Sequence, residues 1–351
     1  MKLKIDKTNA FQYKIENGQE LFNSIHKDAY VNASKRVFEI INNSKFNLDL
    51  KESNLINYDT NYNNIISFMG DRGAGKSTAA ISLAEALVRK ETAFLEEPYA
   101  SALREKKIAK LDLIDPSLFQ DNDRLIEIIV SKMFNQFMKK IEAYPETINH
   151  DDKRALISFF QEVYQNLRTL HSSKEEIYKK ETIEALSELA KGGNLKINFF
   201  LLVQKYLKYV ENQSDYLLII IDDFDLNIKG AYEMLEDIRQ FLIQYNVIIF
   251  VACKIEQLYD AVEQSIRLSV STLTKNNGKT FNNSPEEMTA KYLLKLFPIN
   301  SRCYINPLQF DTTKFELEID KEELNSGEVE KDILKKIYNS TGILMIPSDN
   351  K

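Results

Sequence analysis

Three of the chain's 10 glycines fall in the run Gly70, Asp71, Arg72, Gly73, Ala74, Gly75, Lys76, Ser77, Thr78, although the whole chain is 351 residues long. Residues 70–77 fit the spacing G-x-x-x-x-G-K-[ST]. The chemistry that needs this spacing is the wrapping of a polyphosphate. Several negative charges are held by backbone N–H groups turned inward, and glycine takes the positive-φ turns that other residues resist. A helix starting directly after the loop aims its positive dipole end at the same phosphates. Lys76 is then the mobile cation for the outer phosphates, and the Ser77 hydroxyl is a ligand for Mg²⁺. Thr78 is placed to meet the innermost phosphate, and residues 70–78 together form the candidate binding loop.

A second group of acids follows a long apolar run in "YLLIIIDDFD", residues 216–225. Asp222 at the end of a rigid strand suits a carboxylate that holds Mg²⁺ through water. Asp223 follows at once and is the candidate general base, a carboxylate within reach of one attacking water.

These side chains need a scaffold. "IISFM", 65–69, reads as a buried strand and residues 76–90 as a helix rich in alanine and leucine. "IAKLDLID", 108–115, reads as a strand, and 124–141 as an amphipathic helix. From about 142 to 213 the apolar spacing is helical throughout. Leu156, Phe159, Phe160, Val163, Tyr164, Leu167 and Leu170 are expected in the core, and Gly192–Gly193 are expected to end a helix. The unbroken run 216–221 suits a strand covered on both faces of a parallel sheet. A helix at about 230–244, a strand at 246–254, a helix capped by Ser284 and a short strand at 302–307 follow. Alternating strands and helices give an α/β fold with a parallel sheet flanked by helices and a helical insert. Three parts are expected: a polar, mostly helical segment 1–60; a core 61–310 with the insert; and residues 311–351, a strand at "FELEID" and a helix at "GEVEKDILKKIYNSTG", opening a C-terminal region that the chain cuts short.

Composition narrows the classes. Hydrophobic residues make up 44% and charged residues 28%, enough for a packed core. The formal net charge is -6, and the paired lysines are scattered. Non-specific contact with nucleic acid is therefore disfavoured, though a local basic groove leaves it open. Two cysteines without a CxxC pair and three scattered histidines do not make a zinc site. No run reaches the ~20 apolar residues of a membrane helix, and the N-terminus is not a signal peptide. The expectation is a soluble cytoplasmic protein without a membrane partner.

The loop resembles that of the P-loop nucleotide-binding proteins. It is not G-x-G-x-x-G, and neither H-R-D nor D-F-G occurs. "GDRGAGKST", "LLIIIDDFDLN", "VIIFVACKIEQLYDAV" and "KYLLKLFPINSRCYI" together resemble the KAP-like and STAND-like branch of the AAA+ superfamily, over about residues 62–310. That branch carries an Asp-Asp-x-Asp Walker B motif and a K-Y-L-x-K helix leading into a final strand. The resemblance implies a P-loop NTPase of the extra-strand class, binding ATP with Mg²⁺. In it the strand after Walker B lies between the two motif strands and points at the γ-phosphate. Here Cys253 or Lys254 stands where such proteins commonly carry Asn, Thr or Asp, and Asp223 stands where they usually carry Glu. "LDLIDPSLFQDNDRLIEIIVSKMF" and the long insert also resemble the ATPase subunit of the bacterial RADAR anti-phage system. That likeness implies a ring of identical subunits and an adenosine deaminase partner.

Three functions follow as expectations: an ATP-hydrolysing motor or switch in phage defence, a nucleotide-gated scaffold with little turnover, and, with least support, a nucleic-acid remodelling ATPase. Hydrolysis needs a cation for charge building on the γ-phosphate, often an arginine from a neighbouring subunit. Arg239 and Arg267 read as surface arginines. Arg302, opening the last strand of the core, is the candidate that senses or completes a site, because ligands of parallel sheets sit at strand ends and linking loops.

Overall fold

The computed structural model describes residues 2–5, 21–22, 24, 26–49, 62–119, 123–144, 149–171, 182–226, 230–277, 283–305, 316–319 and 322–325. In chain order the strands there are β1 (Lys2–Ile5), β2 (Ile65–Met69), β3 (Ile108–Lys110), β4 (Tyr216–Ile221), β5 (Val247–Cys253), β6 (Arg302–Tyr304), β7 (Glu316–Ile319) and β8 (Glu322–Asn325). The α-helices are α1 (Lys27–Asp49), α2 (Lys76–Arg89), α3 (Tyr99–Glu105), α4 (Leu125–Ala143), α5 (His150–His171), α6 (Thr182–Tyr209), α7 (Ala231–Asp237), α8 (Ile255–Asn277) and α9 (Pro285–Leu296).

The chain divides into two compact units, residues 15–307 and residues 1–14 with 308–351. The division differs from boundaries at 60 and 310. The first 14 residues go with the C-terminal stretch, and α1 goes with the larger unit. In the smaller unit β1 pairs in parallel with β7, Lys2 opposite Glu316, and β8 pairs with β7 antiparallel. The strand β1 lies inside the segment expected to be polar and mostly helical. Four residues of alternating character are too short a signal to separate from a polar tail.

The larger unit is built on a five-stranded, all-parallel sheet of order β3-β4-β5-β2-β6. The strand that follows the acidic motif, β5, lies between the strands of the two motifs, as expected. Every residue of β2, β4 and β5 is buried. Successive side chains point to opposite faces, and each face has its own core. Ile65, Met69, Leu217, Ile219, Ile221, Val247, Ile249 and Val251 pack against α4 to α9. Ile66, Phe68, Leu218, Ile220, Ile248 and Phe250 pack against α1, α2 and α3. On α2, Ala79, Ala80 and Ala84 let the helix lie close to the sheet, while Leu83 and Leu87 fill the seam. Each such leucine contributes roughly 1.5–3 kcal/mol by burial.

Several local expectations change. The strand at 108–115 stops at Lys110, and only a bridge between Ile114 and Ile221 resumes the pairing. The helix at 230–244 becomes α7 followed by a π-helical turn, Ile238–Leu242. The expected stop at Gly192–Gly193 does not occur: α6 runs through both. Leu195, Phe199, Leu202, Val203 and Tyr206, all buried just beyond, anchor the helix at a cost of about 1 kcal/mol per glycine. Ser284 caps α9 as expected, its Oγ accepting from the Glu287 N–H at 3.3 Å. Tyr164 is 60% exposed, beside Phe134 in a groove between α4 and α5, whereas Leu156, Phe160, Val163 and Leu167 are core. "GEVEKDILKKIYNSTG" lies outside the described residues. No helix among the described residues is long and apolar enough to cross a membrane.

Candidate functional site

Sheet topology brings the glycine loop and the acid segment to one edge. β2 is fixed at its start by Asn64, whose Nδ2 donates to the carbonyls of Leu242 and Val247, each at 2.9 Å. After Met69 the chain turns through residues 70–75 and enters α2 at Lys76. Gly73 and Gly75 have φ of 79° and 96°, so the turn uses the left-handed region at both. Gly70 is required for a different reason: a Cβ there would clash with the Ile305 carbonyl oxygen, where the chain leaving β6 crosses the loop. A Cβ at Gly75 would also lie 2.8 Å from His26 Nε2, so the turn before α1 covers the last glycine.

The two motifs touch. The Ser77 hydroxyl donates to Asp222 Oδ1 at 2.6 Å. The Asp223 N–H donates to the same oxygen at 3.0 Å. Asp222 is 3% exposed. Burial pushes its carboxyl above the usual range, Ser77 pulls it back, and the charges of Asp223 and Asp115 push it up further. The end of β4 is held rigid, since the Asp222 N–H donates to the Ile114 carbonyl at 2.8 Å. Asp223 has φ of 45°, a left-handed conformation that aspartate tolerates better than most residues. Its side chain is half-buried, and no hydrogen bond engages its carboxylate among the described residues.

Lys76 is buried, and its ammonium donates to the Asp71 carbonyl at 3.2 Å. Asp71 Oδ1 pairs with the Lys254 ammonium at 2.6 Å. The Lys254 N–H in turn donates to Asp225 Oδ1 at 3.0 Å. Of the two residues at the end of β5, Lys254 faces the loop. Cys253 is fully buried, and burial and the Asp225 charge push its thiol up to about 12.

Arg302 is not brought to this cluster. It stands opposite Ser67, at the amino end of β6, while the loop leaves the carboxyl end of β2. Its Nε donates to the Phe297 carbonyl at 2.8 Å, and among the described residues no hydrogen bond or ion pair joins it to residues 70–78 or Asp222. Its charge, like that of Lys76, does act on the Cys253 thiol. The neighbouring Ser301 is fixed by Arg36 of α1, whose Nε donates to Ser301 Oγ at 3.0 Å. Arg239 is bound to Glu236 at 2.6 Å, and Arg267 to Glu263 at 2.6 Å and to Glu286. Burial alone would raise the Glu236 carboxyl, but Arg239, Gln240 and Tyr292 pull it down to about 2.

Asp225 and Asp115 are site neighbours that sequence reasoning left without a role. Asp225 was visible as the third acid of "DDFD". Asp115 follows β3 by a few residues, and only the sheet order sets it beside Asp222. His26, far upstream in a polar stretch, carried no signal.

Ser77 and Asp222 offer a hydroxyl and a carboxylate, the hard oxygen donors that Mg²⁺ takes. No group of three or more His, Cys, Asp or Glu side chains converges among the described residues. A divalent ion here would draw few protein ligands and complete its shell from phosphate and water, which is the habit of Mg²⁺. Comparison of the chain with protein-family models and with curated proteins gives no match.

Proposed function

We propose that the chain is an ATP-binding and ATP-hydrolysing P-loop protein of the extra-strand, AAA+-like class. The observation that carries this reading is the hydrogen bond from Ser77 to Asp222, 145 residues apart in sequence, at 2.6 Å. A glycine turn that merely joined a strand to a helix would have no reason to meet a buried acid at the end of another strand. Supporting it are the two left-handed glycines and the placement of β5 between the motif strands.

In this reading the N–H groups of residues 70–78 bind the phosphate chain, and the N-terminus of α2 adds its dipole. Lys76 exchanges the Asp71 carbonyl for the outer phosphates. Ser77 and Asp222 hold Mg²⁺, which neutralises charge on the phosphates. Asp223 orients a water and takes its proton; its carboxylate is not tied down by any described neighbour. The resemblance noted above adds ring assembly, a deaminase partner and a role in phage defence to the same proposal.

A second reading, a nucleotide-gated scaffold with little turnover, is favoured by two observations. Arg302 is held by the Phe297 carbonyl and not by the site, and Asp223 is one methylene shorter than the usual glutamate. Calorimetric titration with Mg²⁺ and ATP tests the shared part of both readings. Lys76→Ala is expected to weaken binding at least about tenfold, the loss of one charge-assisted contact. Unchanged affinity would remove Lys76 and the loop from the site.

A further inference from the structure

The helical insert carries more apolar surface than its own core uses. Leu156, Phe160, Val163 and Leu167 of α5 are buried in one core with Leu195, Phe199 and Leu202 of α6. A second stripe of α5, Ile157, Phe160 and Tyr164, lines a groove together with Ile128 and Phe134 of α4. Tyr164 is 60% exposed and Phe134 40%, although the Phe134 ring packs edge-on against Phe160 with centroids 5.2 Å apart. A lone exposed apolar side chain is ordinary, but a contiguous set lining a groove marks an interaction site. The groove is charged at one end only. Asp123 and Glu127 line it where α4 begins, and no lysine or arginine joins the lining among the described residues. Arg124, between the two acids in sequence, has its guanidinium bound to Asp237. Phe134 lies seven residues beyond Glu127, about 10 Å along α4 at ~1.5 Å per residue.

We propose that the groove between α4 and α5 docks an amphipathic helix of a partner protein, with apolar side chains at i, i+4 and i+7 over the aromatic floor and a lysine or arginine at the Asp123–Glu127 end. Three apolar side chains so spaced span about 10 Å of helix, the length from Glu127 to Phe134, and an apolar face laid into a groove is a recurring mode of peptide recognition. The paired carboxylates set the sign of the partner. They repel nucleic-acid phosphates and anionic lipid headgroups, and they attract a basic side chain while fixing the direction of the helix. A small-ligand pocket encloses most of its occupant, whereas the aromatic rim here stands open. Glu127 also suits the dipole of α4, in whose first turn it lies. A purely structural acid of that kind would not decide which peptides bind, and the test turns on this difference.

The full chain is used to select binders from a phage-displayed library of helical peptides. The selected peptides are titrated by fluorescence polarisation into wild type, Tyr164→Ser and Glu127→Lys, with thermal melts to verify folding. Should Glu127→Lys not fold, Asp123→Lys, at an exposed position before α4, carries the same charge reversal. Selected peptides are expected to carry apolar residues at i, i+4 and i+7 and a lysine or arginine about one turn beyond. Tyr164→Ser is expected to weaken them about tenfold, the loss of an aromatic anchor. The charge reversal is expected to weaken them about tenfold as well, and to make the same peptide with glutamate in place of its basic residue the tighter ligand. No enriched peptide, enriched peptides without a basic residue, or affinities unmoved by either variant overturn the proposal. Self-association of the wild type that Tyr164→Ser abolishes would give the groove to a second copy of the chain and overturn it too.

Discussion

Asp222→Asn is expected to stabilise the protein while removing its Mg²⁺-dependent nucleotide affinity. The carboxylate is 3% exposed and burial raises its pKa, so holding it charged costs free energy in the folded state. Asparagine keeps the shape. Its Oδ1 can still accept from Ser77 Oγ and from the Asp223 N–H, the contacts now at 2.6 and 3.0 Å. Those contacts weaken from charge-assisted to neutral hydrogen bonds, a loss of about 0.5–1 kcal/mol each. Relief of the buried charge and of its repulsion by Asp223 and Asp115 offsets this, giving a net gain of about 1 kcal/mol, the usual scale for relieving a functional site. In a protein of this size that is roughly 1–2 °C in Tm. The sign with pH follows from linkage. An acid whose pKa is raised by folding binds more protons folded than unfolded, so wild-type stability falls as pH rises from the usual carboxylate range through the raised value. The variant lacks that slope, and its advantage grows from acid to neutral pH. Urea unfolding at two pH values and a nucleotide titration with Mg²⁺ measure both halves. A variant less stable than wild type at neutral pH, with an unchanged m value, would refute the reasoning and make Asp222 a structural acid.

Gly70→Ala places a Cβ against the Ile305 carbonyl and is expected to cost about 1–3 kcal/mol, with weaker ATP binding, by urea unfolding and titration. Asp237 is fully buried and accepts from Arg124 Nε at 3.1 Å and from the Ile126 N–H at 3.3 Å, tying the start of α4 to α7. Asp237→Ala is expected to lose about 2–3 kcal/mol, at or below the range for a broken buried pair because Arg124 is partly exposed; a loss of stability below about 0.5 kcal/mol in urea unfolding would show the tie is idle. Arg302→Ala is expected to leave ATP affinity of the chain within about twofold while lowering turnover or the oligomer mass seen by light scattering; normal turnover and normal mass would make Arg302 a surface charge.

The sequence made the glycine loop, the acid segment and the parallel sheet legible because each rests on a local pattern. An unbroken apolar run marks a strand covered on both faces. A glycine crowd before an alanine-rich stretch marks a turn into a helix. What stayed hidden depends on residues distant in sequence. Gly70 looked like a residue needed for its backbone angle, but the Ile305 carbonyl is what forbids a side chain there. Arg302 looked like a residue at a ligand-facing strand end. The register opposite Ser67 places it at the other end, and register is set by the whole sheet. Gly192–Gly193 broke the helical pattern locally, and the buried residues beyond them carried the helix through. The role of Lys254 could not be chosen over Cys253 until the side-chain faces of β5 were known.

Release of inorganic phosphate from Mg²⁺–ATP, followed for wild type and Asp223→Asn over a series of protein concentrations, tests the central claim most directly. Asparagine tolerates the left-handed backbone at 223, so the substitution removes the base without straining the turn. The account predicts Mg²⁺-dependent release that rises per chain with concentration and falls about a hundredfold or more in the variant, with ATP still bound. Wild-type release indistinguishable from buffer and unchanged by the substitution, despite bound ATP, would contradict hydrolysis and leave the scaffold reading in its place.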